Sequence, residues 1–137
     1  MKATPIAGIM SEQVVTVDDG QQLSDVWDLL RRHGIHHVPV VNGLRPIGVI
    51  SATDILRLAY DFDATDDRMM RTMLDHQFSI DDAMSTALVT LPTDATVHDA
   101  AELLATGDSH SVLIIDAVGE LAGIVTTTDL IRFLRDL

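Results

Sequence analysis

The sequence predicts a mixed α/β (α+β) fold in which two β-α-β-β-α units pack with pseudo-twofold symmetry. The first observation is a repeat: Gly48–Asp54 recurs as Gly123–Asp129, each a short apolar strand ending in hydroxyls and a carboxylate. The second is that β-branched runs alternate with stretches of helical apolar spacing around both copies. A solenoid needs about three repeats, so we expect two half-domains with a ligand cleft between them.

The repeat extends well beyond these seven residues. Met10-Ser11 aligns with Met84-Ser85, and one additional residue near Ala117–Gly119 adjusts the spacing of the later matches. We therefore divide the chain into three parts, which are a first repeat, a linker and a second repeat at residues 1–60, 61–79 and 80–137.

Five elements make up the first repeat. A strand, a helix, two strands and a helix are predicted at Val14–Val17, Leu23–Leu30, His37–Val41, Ile47–Ser51 and Thr53–Tyr60. Leu23, Val26 and Leu30 recur at the spacing of one helix face. Gly34 ends that helix, and Asn42-Gly43 is a turn signal between the two strands.

The second repeat follows the same order. Its strands and helices are predicted at Leu88–Leu91, Val97–Leu104, Ser111–Asp116, Ala122–Thr126 and from Thr128 onward. Pro92 closes the first strand, and Thr96 with Asp99 has the spacing of a capping box at the start of the first helix.

The linker at 61–79 is rich in acids and methionine. Met69, Met70 and Met73 stand at helical spacing and predict a short helix with one apolar face. One interpretation is a linker helix packed on the domain. The other is a surface for a partner protein, since methionine suits adaptable interfaces.

Composition excludes several classes of function. A formal net charge of −12 disfavours both nucleic-acid backbones and anionic membranes. The absence of cysteine excludes disulfides, thiolate zinc sites and cysteine nucleophiles. Because no signal peptide or membrane-length apolar run is visible, we expect a cytoplasmic protein. His36 and His37 point to opposite faces of a strand, so we expect no metal site there.

The repeated motif can bind a nucleoside. Ser51 and Thr126 end their strands, and Asp54 and Asp129 follow at helix N-termini, where unpaired N–H groups favour phosphate. A carboxylate at this place can also accept two hydrogen bonds from a ribose diol. The alternative is ordinary helix capping, but two copies with identical spacing favour the ligand interpretation.

These features resemble a tandem pair of cystathionine β-synthase (CBS) domains, the Bateman module. The resemblance rests on the β-α-β-β-α order, the strand His37–Val41 and the two Gly-x-x-Ser/Thr-x-x-Asp turns, and it covers about residues 6–60 and 80–137. It implies two clefts for adenosyl ligands, namely AMP, ADP, ATP, S-adenosylmethionine or NAD-type molecules, and no required cofactor.

The resemblance also implies roles for individual residues. Asp54 and Asp129 would hold ribose hydroxyls, with Ser51 and Thr126 beside the ribose and phosphate. Each cleft would combine one repeat's aspartate with residues of the other repeat. One adenine would lie against Met10, Val15, Ile35 and His37. The other would lie against Met84, Val89, Ser109 and Ser111.

The phosphate end of the motif departs from the family. His36 and His110 match a phosphate-facing position in the regulatory subunit of the AMP-activated kinase, where arginine often follows. Here His37 and Ser111 follow, so the permanent charge of arginine is missing. We therefore rank AMP above ATP and keep S-adenosylmethionine open. Leu113, where the first copy has Pro39, makes the two sites unequal.

The resemblance leaves two hypotheses. The first is an adenosyl-ligand sensor that acts through an unknown partner protein by population shift. The second is a structural dimerisation module with degenerate nucleotide sites. Paired CBS modules commonly dimerise through helices, and the candidate interface residues are Leu56 with Leu58 or Leu130 with Phe133. No catalytic constellation stands out, so we predict that the chain is not an enzyme.

Overall fold

The computed structural model describes residues 3–60 and 66–137. Residues 61–65, the first part of the predicted linker, lie outside the described residues. The described chain forms two compact units. The first-repeat unit comprises residues within Val15–Ala87, and the second-repeat unit comprises residues up to Val14 together with Leu88–Leu137.

The first-repeat unit is a three-stranded sheet with four helices. Its elements are β1 Val17–Asp18, α1 Leu23–His33, β2 His37–Asn42, β3 Arg45–Ser51, α2 Ala52–Ala59, α3 Asp67–Gln77 and α4 Ile80–Ala83. The strand order is β1-β2-β3, with β1 parallel to β2 and β2 antiparallel to β3.

The second-repeat unit repeats this plan. It contains a 3₁₀ turn at Ile6–Gly8, then β4 Thr90–Pro92, α5 Val97–Leu104, β5 Ser111–Ile115, β6 Leu121–Thr126 and α6 Thr127–Arg135. The strand order is β4-β5-β6, again with a parallel and an antiparallel pair. Two three-stranded sheets with six α-helices in the described residues confirm the predicted α+β class.

Local sequence signals account for most element ends. Gly34 adopts φ 60° directly after α1, a left-handed conformation that glycine tolerates best. The first strand is shorter than predicted, because pairing with β2 begins only at Val17 opposite Val40. Val14 and Val15 are therefore half-buried residues outside the ladder, although their β-branched composition predicted a strand.

Each unit has its own core, and each core includes a segment from the other sequence repeat. We call Ile6–Ser11 and Ile80–Ser85 the leading segments, because each precedes the first strand of its own repeat. Ile6 is fully buried with Val112 and Val125 of the second repeat. Ile80 is fully buried in the core of the first-repeat unit. The compact units and the sequence repeats therefore divide the chain differently.

Helix α3, at the predicted linker, packs on the first-repeat unit. Its apolar face consists of fully buried Leu74 with half-buried Met70 and Met73. Met69, which the sequence placed on this face, is 47% exposed. Met69 faces outward because the buried face of α3 is formed by Met70, Met73 and Leu74.

The helices of the described part of the chain are all too short or too polar to cross a membrane.

Candidate functional site

The predicted site residues lie where an antiparallel strand pair meets a helix. In the first-repeat unit, His37 at the start of β2 is the cross-strand partner of Ser51 at the end of β3. In the second-repeat unit, Ser111 is the partner of Thr126 in the same way. Both hydroxyl residues are N-caps, so the strand passes into its helix without a loop.

A closed capping box fixes each aspartate. Asp54 Oδ2 accepts hydrogen bonds from Ser51 N at 2.7 Å and from Ser51 Oγ at 2.9 Å, and Asp54 N donates to Ser51 Oγ at 3.2 Å. Thr126 and Asp129 form the same box, with distances of 2.8, 3.1 and 3.3 Å. Each carboxylate is thereby held in one orientation before any ligand arrives.

One oxygen of each carboxylate stays outside its box. Asp54 Oδ1 lies 3.9 Å from Arg57 Nη1, a long ion pair with an exposed partner. The box of Asp129 also uses only Oδ2. A carboxylate has about four acceptor positions on its two oxygens, so capping and a ribose diol can share the same side chain.

Capping alone does not mark a ligand site in this chain. The described residues contain further capping boxes at Gln22–Asp25, Ser79–Asp82 and Thr96–Asp99. The Thr96–Asp99 box confirms the spacing prediction, and the hydrogen bonds from Thr96 hold the pKa of Asp99 below its usual value. The boxes of Asp54 and Asp129 differ because a leading segment runs along the strand that precedes each of them.

The leading segments pair with these strands through two hydrogen bonds each. Ser85 N donates to the carbonyl of Val49 at 2.9 Å, and Val49 N donates to that of Ser85 at 3.0 Å. Ser11 and Ile124 exchange the equivalent bonds at 2.9 and 3.1 Å. Each predicted adenine-contacting methionine, Met84 or Met10, thereby lies beside a strand that leads into an aspartate box.

Glycine makes this approach possible. A Cβ atom at Gly48 would lie 2.6 Å from Met84 Sδ, and one at Gly123 would lie 2.7 Å from Met10 Sδ. Both distances are shorter than real Cβ contacts. The sequence motif included these glycines without a stated contact. A glycine inside a strand, which signals close approach of another segment, was the available clue.

Replacing either glycine by alanine should displace the methionine that packs on it. We expect Gly48→Ala or Gly123→Ala to cost about 1–3 kcal/mol in the free energy of unfolding, the usual range for overpacking. Denaturant unfolding measures this cost. Gly8→Ala is the control, because a Cβ there would contact nothing within 4 Å. Equal stabilities for all three variants would contradict the tight packing.

His36 and His110, which match the phosphate-facing position, accept hydrogen bonds from the first residues of α2 and α6 through their main-chain carbonyls. The carbonyl of His36 accepts a hydrogen bond from Ala52 N at 3.1 Å, and that of His110 accepts one from Thr127 N at 3.2 Å. Both residues are exposed. Their position at the first turn of α2 and α6 places them close to the capping boxes.

The remaining predicted residues occupy varied positions. Ile35 is half-buried against the first core. The carbonyl of Val89 accepts a hydrogen bond from Leu113 N at 2.9 Å. Ser109 Oγ donates to the carbonyl of Ser111, and Ser111 is buried.

Each predicted adenine edge is divided between the two units. Met10 belongs to the second-repeat unit, whereas Val15, Ile35 and His37 belong to the first-repeat unit. Met84 is separated from its predicted companions in the same way. The grouping of these residues around a single adenine therefore stays a prediction.

The described residues contain no cluster of three His, Asp or Glu side chains arranged to hold a metal ion. Asp67, at the start of α3, forms ion pairs with Arg31 and Arg71.

Comparison with protein families decides the identity of the fold. The model for the CBS domain matches residues 6–61 and 80–136. This chain belongs to the CBS domain family. Two matches in one chain make it a tandem CBS pair, as the repeat and the strand-to-helix motifs predicted.

Curated relatives place the CBS pair in proteins of several lengths. The CBS domain-containing protein YhcV of Bacillus subtilis is 28% identical over 121 residues, which are 88% of this chain and 79% of YhcV. The uncharacterized protein MJ1404 of Methanocaldococcus jannaschii is 26% identical, with 100% of this chain and 33% of MJ1404 covered. Inosine-5'-monophosphate dehydrogenase of Chlorobaculum parvum is 27% identical, with 90% and 23% covered. The chain thus spans only part of the latter two relatives.

Solved CBS pairs have the same fold. The structure of CBSX2 from Arabidopsis thaliana in complex with AMP has a TM-score of 0.81, 21% identity and 98% coverage of both chains. The CBS domain pair of MJ0100, in complex with 5'-methylthioadenosine and S-adenosyl-L-methionine, has the same TM-score, identity and coverage.

Proposed function

We propose that this CBS pair is a regulatory module that binds an adenosyl ligand, with AMP the first candidate. The observation that carries the proposal is the duplicated box of Ser51–Asp54 and Thr126–Asp129. Each box orients a carboxylate at a helix start and leaves one oxygen outside the capping bonds. This is the acceptor arrangement that a ribose diol needs.

The structural neighbours support the choice of an adenosyl ligand. CBSX2 was solved with AMP, and MJ0100 with 5'-methylthioadenosine and S-adenosyl-L-methionine. The three ligands share adenine and a ribose diol and differ at the 5' substituent. A site built around two ribose-binding carboxylates suits what they have in common.

Charge favours a ligand with few phosphates. His37 and Ser111 stand beside the capping hydroxyls, where a guanidinium would give a bidentate phosphate contact. The chain carries a net charge of −12, which repels polyanions over the distance of about a Debye length. We therefore place AMP before ADP, ATP and NAD, and keep cationic S-adenosylmethionine as the strongest competitor.

In this proposal, ligand binding by the CBS pair changes the activity of another protein. The match to inosine-5'-monophosphate dehydrogenase covers only 23% of that enzyme. A CBS pair that binds ligand can bias an equilibrium only through different affinities for two conformations. The ligand-preferred conformation would then be the form that an effector protein in the cytoplasm recognises.

A thermal-stability screen tests the proposal. Binding to the native state stabilises it by RT ln(1 + [L]/Kd), about 2.7 kcal/mol at a hundredfold excess over Kd. We expect AMP to raise the unfolding temperature more than ADP, ATP, NAD or NADH, with S-adenosylmethionine measured alongside. No rise with any of the six at millimolar concentration would overturn the proposal.

The α5/α6 surface favours a second candidate function, homodimerisation. An apolar groove of about 300 Å³ lies between these helices and is lined mainly by Val97, Ala101, Leu104, Leu130, Phe133 and Leu134. Leu130 packs partly inward, and the most exposed apolar side chains here are Ile131 and Leu134, which the sequence did not single out. We propose that a second copy covers this groove with the same face.

A charge in this groove should dissociate the dimer. Leu134→Asp places a carboxylate in apolar surroundings, so we expect the mass in light scattering to fall from that of a dimer to that of a monomer. Leu44→Asp is the matched control, because Leu44 is at least as exposed as Leu134 but lies in the β2–β3 turn. A monomeric wild-type chain, or a dimeric Leu134→Asp variant, would contradict this assignment.

A further inference from the structure

Helix α3 is attached to α1 by three polar contacts spaced one turn apart, which we call the rungs. At the first rung, Asp67 Oδ1 accepts from Arg31 Nη1 at 2.5 Å and from Trp27 Nε1 at 3.2 Å. At the second, Arg71 forms a bidentate pair with Asp28 and also bonds Asp67. These contacts hold the pKa of Asp28 below its usual range.

The third rung lies at the start of α1. Asp75 accepts hydrogen bonds from Ser24 N at 3.0 Å and from Ser24 Oγ at 2.7 Å, so α3 caps a helix to which it is not adjacent in sequence. Rung positions rise along α3 as they fall along α1, which makes the two helices antiparallel. The rungs and the apolar stripe of Leu74 together hold α3 in place.

The rungs are exposed enough to open. The side chains of Arg31 and Asp67 are 57% and 46% exposed, and exposed ion pairs contribute little individually. An isolated helix of this length is marginal in water. The helical structure of α3 therefore depends on its packing against α1. Among its side chains, local detachment exposes one that is fully buried, Leu74.

The second repeat shows that the two helices of a repeat can pack on their sheet without a third helix of the same chain equivalent to α3. In the described residues α5 and α6 border an open groove, whereas the equivalent face of α1 and α2 carries α3. Ile55 is fully buried, while its repeat equivalent Leu130 is half-buried. The sheet and helices of the second-repeat unit keep the same order. Detachment of α3 would thus leave the first repeat with an uncovered helix pair, as in the second repeat.

Helix α3 is connected directly to a predicted ligand contact. It ends at Gln77, and only Phe78, Ser79 and α4 separate it from Met84. Phe78 packs against the first core, and Ile80 of α4 is fully buried. Met84 then packs on Gly48, and Ser85 pairs with Val49. Helix α3 is therefore joined by a short, well-packed segment to the residues that pair with the strand ending in the Asp54 box.

We propose that α3 is a detachable cover whose docking is coupled to adenosyl-ligand binding at the Ser51–Asp54 box. The inference rests on the proposed function. A ligand held by Asp54 and Met84 fixes α4 and the leading segment, and so favours docked α3. By reciprocity, docked α3 raises the affinity for the ligand. Release of α3 uncovers the α1/α2 face, which is the change that a partner protein can detect.

Hydrogen exchange on the full chain, with AMP as the probe, tests this coupling. Arg71→Ala removes the second rung, and Asp67→Ala, the second variant, removes the first. Arg68→Ala is the matched control, because Arg68 lines the exposed side of α3 and forms no ion pair with the described residues. Titration calorimetry of AMP on the same samples reports binding independently of exchange.

We expect AMP to slow exchange of the α3 amides in the wild-type chain. Arg71→Ala should speed that exchange roughly fivefold to tenfold, as expected for loss of a small ion-pair network, and should weaken AMP binding. Arg68→Ala should behave as wild type. AMP binding without any change in α3 exchange overturns the coupling alone. An absence of binding by AMP and by the other five compounds of the stability screen overturns the proposed function and this inference with it.

Discussion

We expect that replacing both Asp54 and Asp129 by alanine abolishes adenosyl-ligand binding while the chain remains folded. Each substitution removes a charged acceptor from the ribose, and a hydrogen bond to a charged group contributes about 1.5–3 kcal/mol. Two such bonds per ribose correspond to a loss of at least roughly a hundredfold in affinity at each site. The single variants should each lose one site, which titration calorimetry separates by stoichiometry.

The same substitutions also remove helix caps, so stability must be separated from binding. Loss of a capping interaction costs about 0.5–2 kcal/mol, and both aspartates are the N3 residues of capping boxes whose N-caps are Ser51 and Thr126. Asp99→Ala is the matched control, since Thr96–Asp99 forms the same box as Thr126–Asp129 at a helix outside the proposed sites. We expect it to be destabilised similarly and to bind ligand normally. Equal loss of binding in Asp99→Ala would mean that the effect is structural.

His37→Arg should raise the affinity for ATP relative to that for AMP in the cleft that His37 lines. His37 lies opposite Ser51 on the neighbouring strand and is half-buried. An arginine there carries a permanent charge and can contact phosphate oxygens in a bidentate manner. We expect the ratio of ATP to AMP affinity to rise roughly tenfold to a hundredfold, the equivalent of one or two charge-assisted hydrogen bonds.

A control is needed for the change in net charge. His76→Arg introduces the same side chain on the exposed face of α3, away from the box. This variant should leave the ratio of ATP to AMP affinity unchanged. If His37→Arg and His76→Arg behave alike, then His37 does not face the phosphates, and the ranking of ligands by charge loses its basis.

Most of the fold was predictable because local signals and the repeat agree. Helix α1 begins at Leu23 and ends before Gly34, as the apolar spacing and the glycine indicated. The strand at Val14–Val17 was predicted too long, because composition cannot show where a parallel partner strand begins.

Burial on the helices was harder to predict than the helices themselves. Met69 turned outward and Ile131 and Leu134 proved more exposed than Leu130, since a periodic pattern does not define which side of a wide stripe meets the sheet. The rungs between α1 and α3 were also missed. They join residues far apart in sequence through ordinary surface side chains, which carry no local signal.

The pairing of a hydroxyl with a carboxylate at each candidate site was predictable because both copies carry the same spacing. The proximity of each leading segment to the opposite repeat's aspartate followed from the family resemblance and not from periodicity. Gly48 and Gly123 now give it a physical reason, since any larger residue would collide with Met84 or Met10. Which residues surround a single adenine depends on long-range packing, which the spacing of residues along the chain does not encode.

The most direct test of an adenosyl-binding CBS pair is a calorimetric titration of AMP into the purified wild-type chain, repeated with the Asp54→Ala/Asp129→Ala variant. The account predicts saturable binding by the wild-type chain and none by the double variant, with Asp99→Ala retaining the wild-type isotherm. Unchanged AMP binding by the double variant would contradict the account, because the ribose would then be held by residues other than the two aspartates.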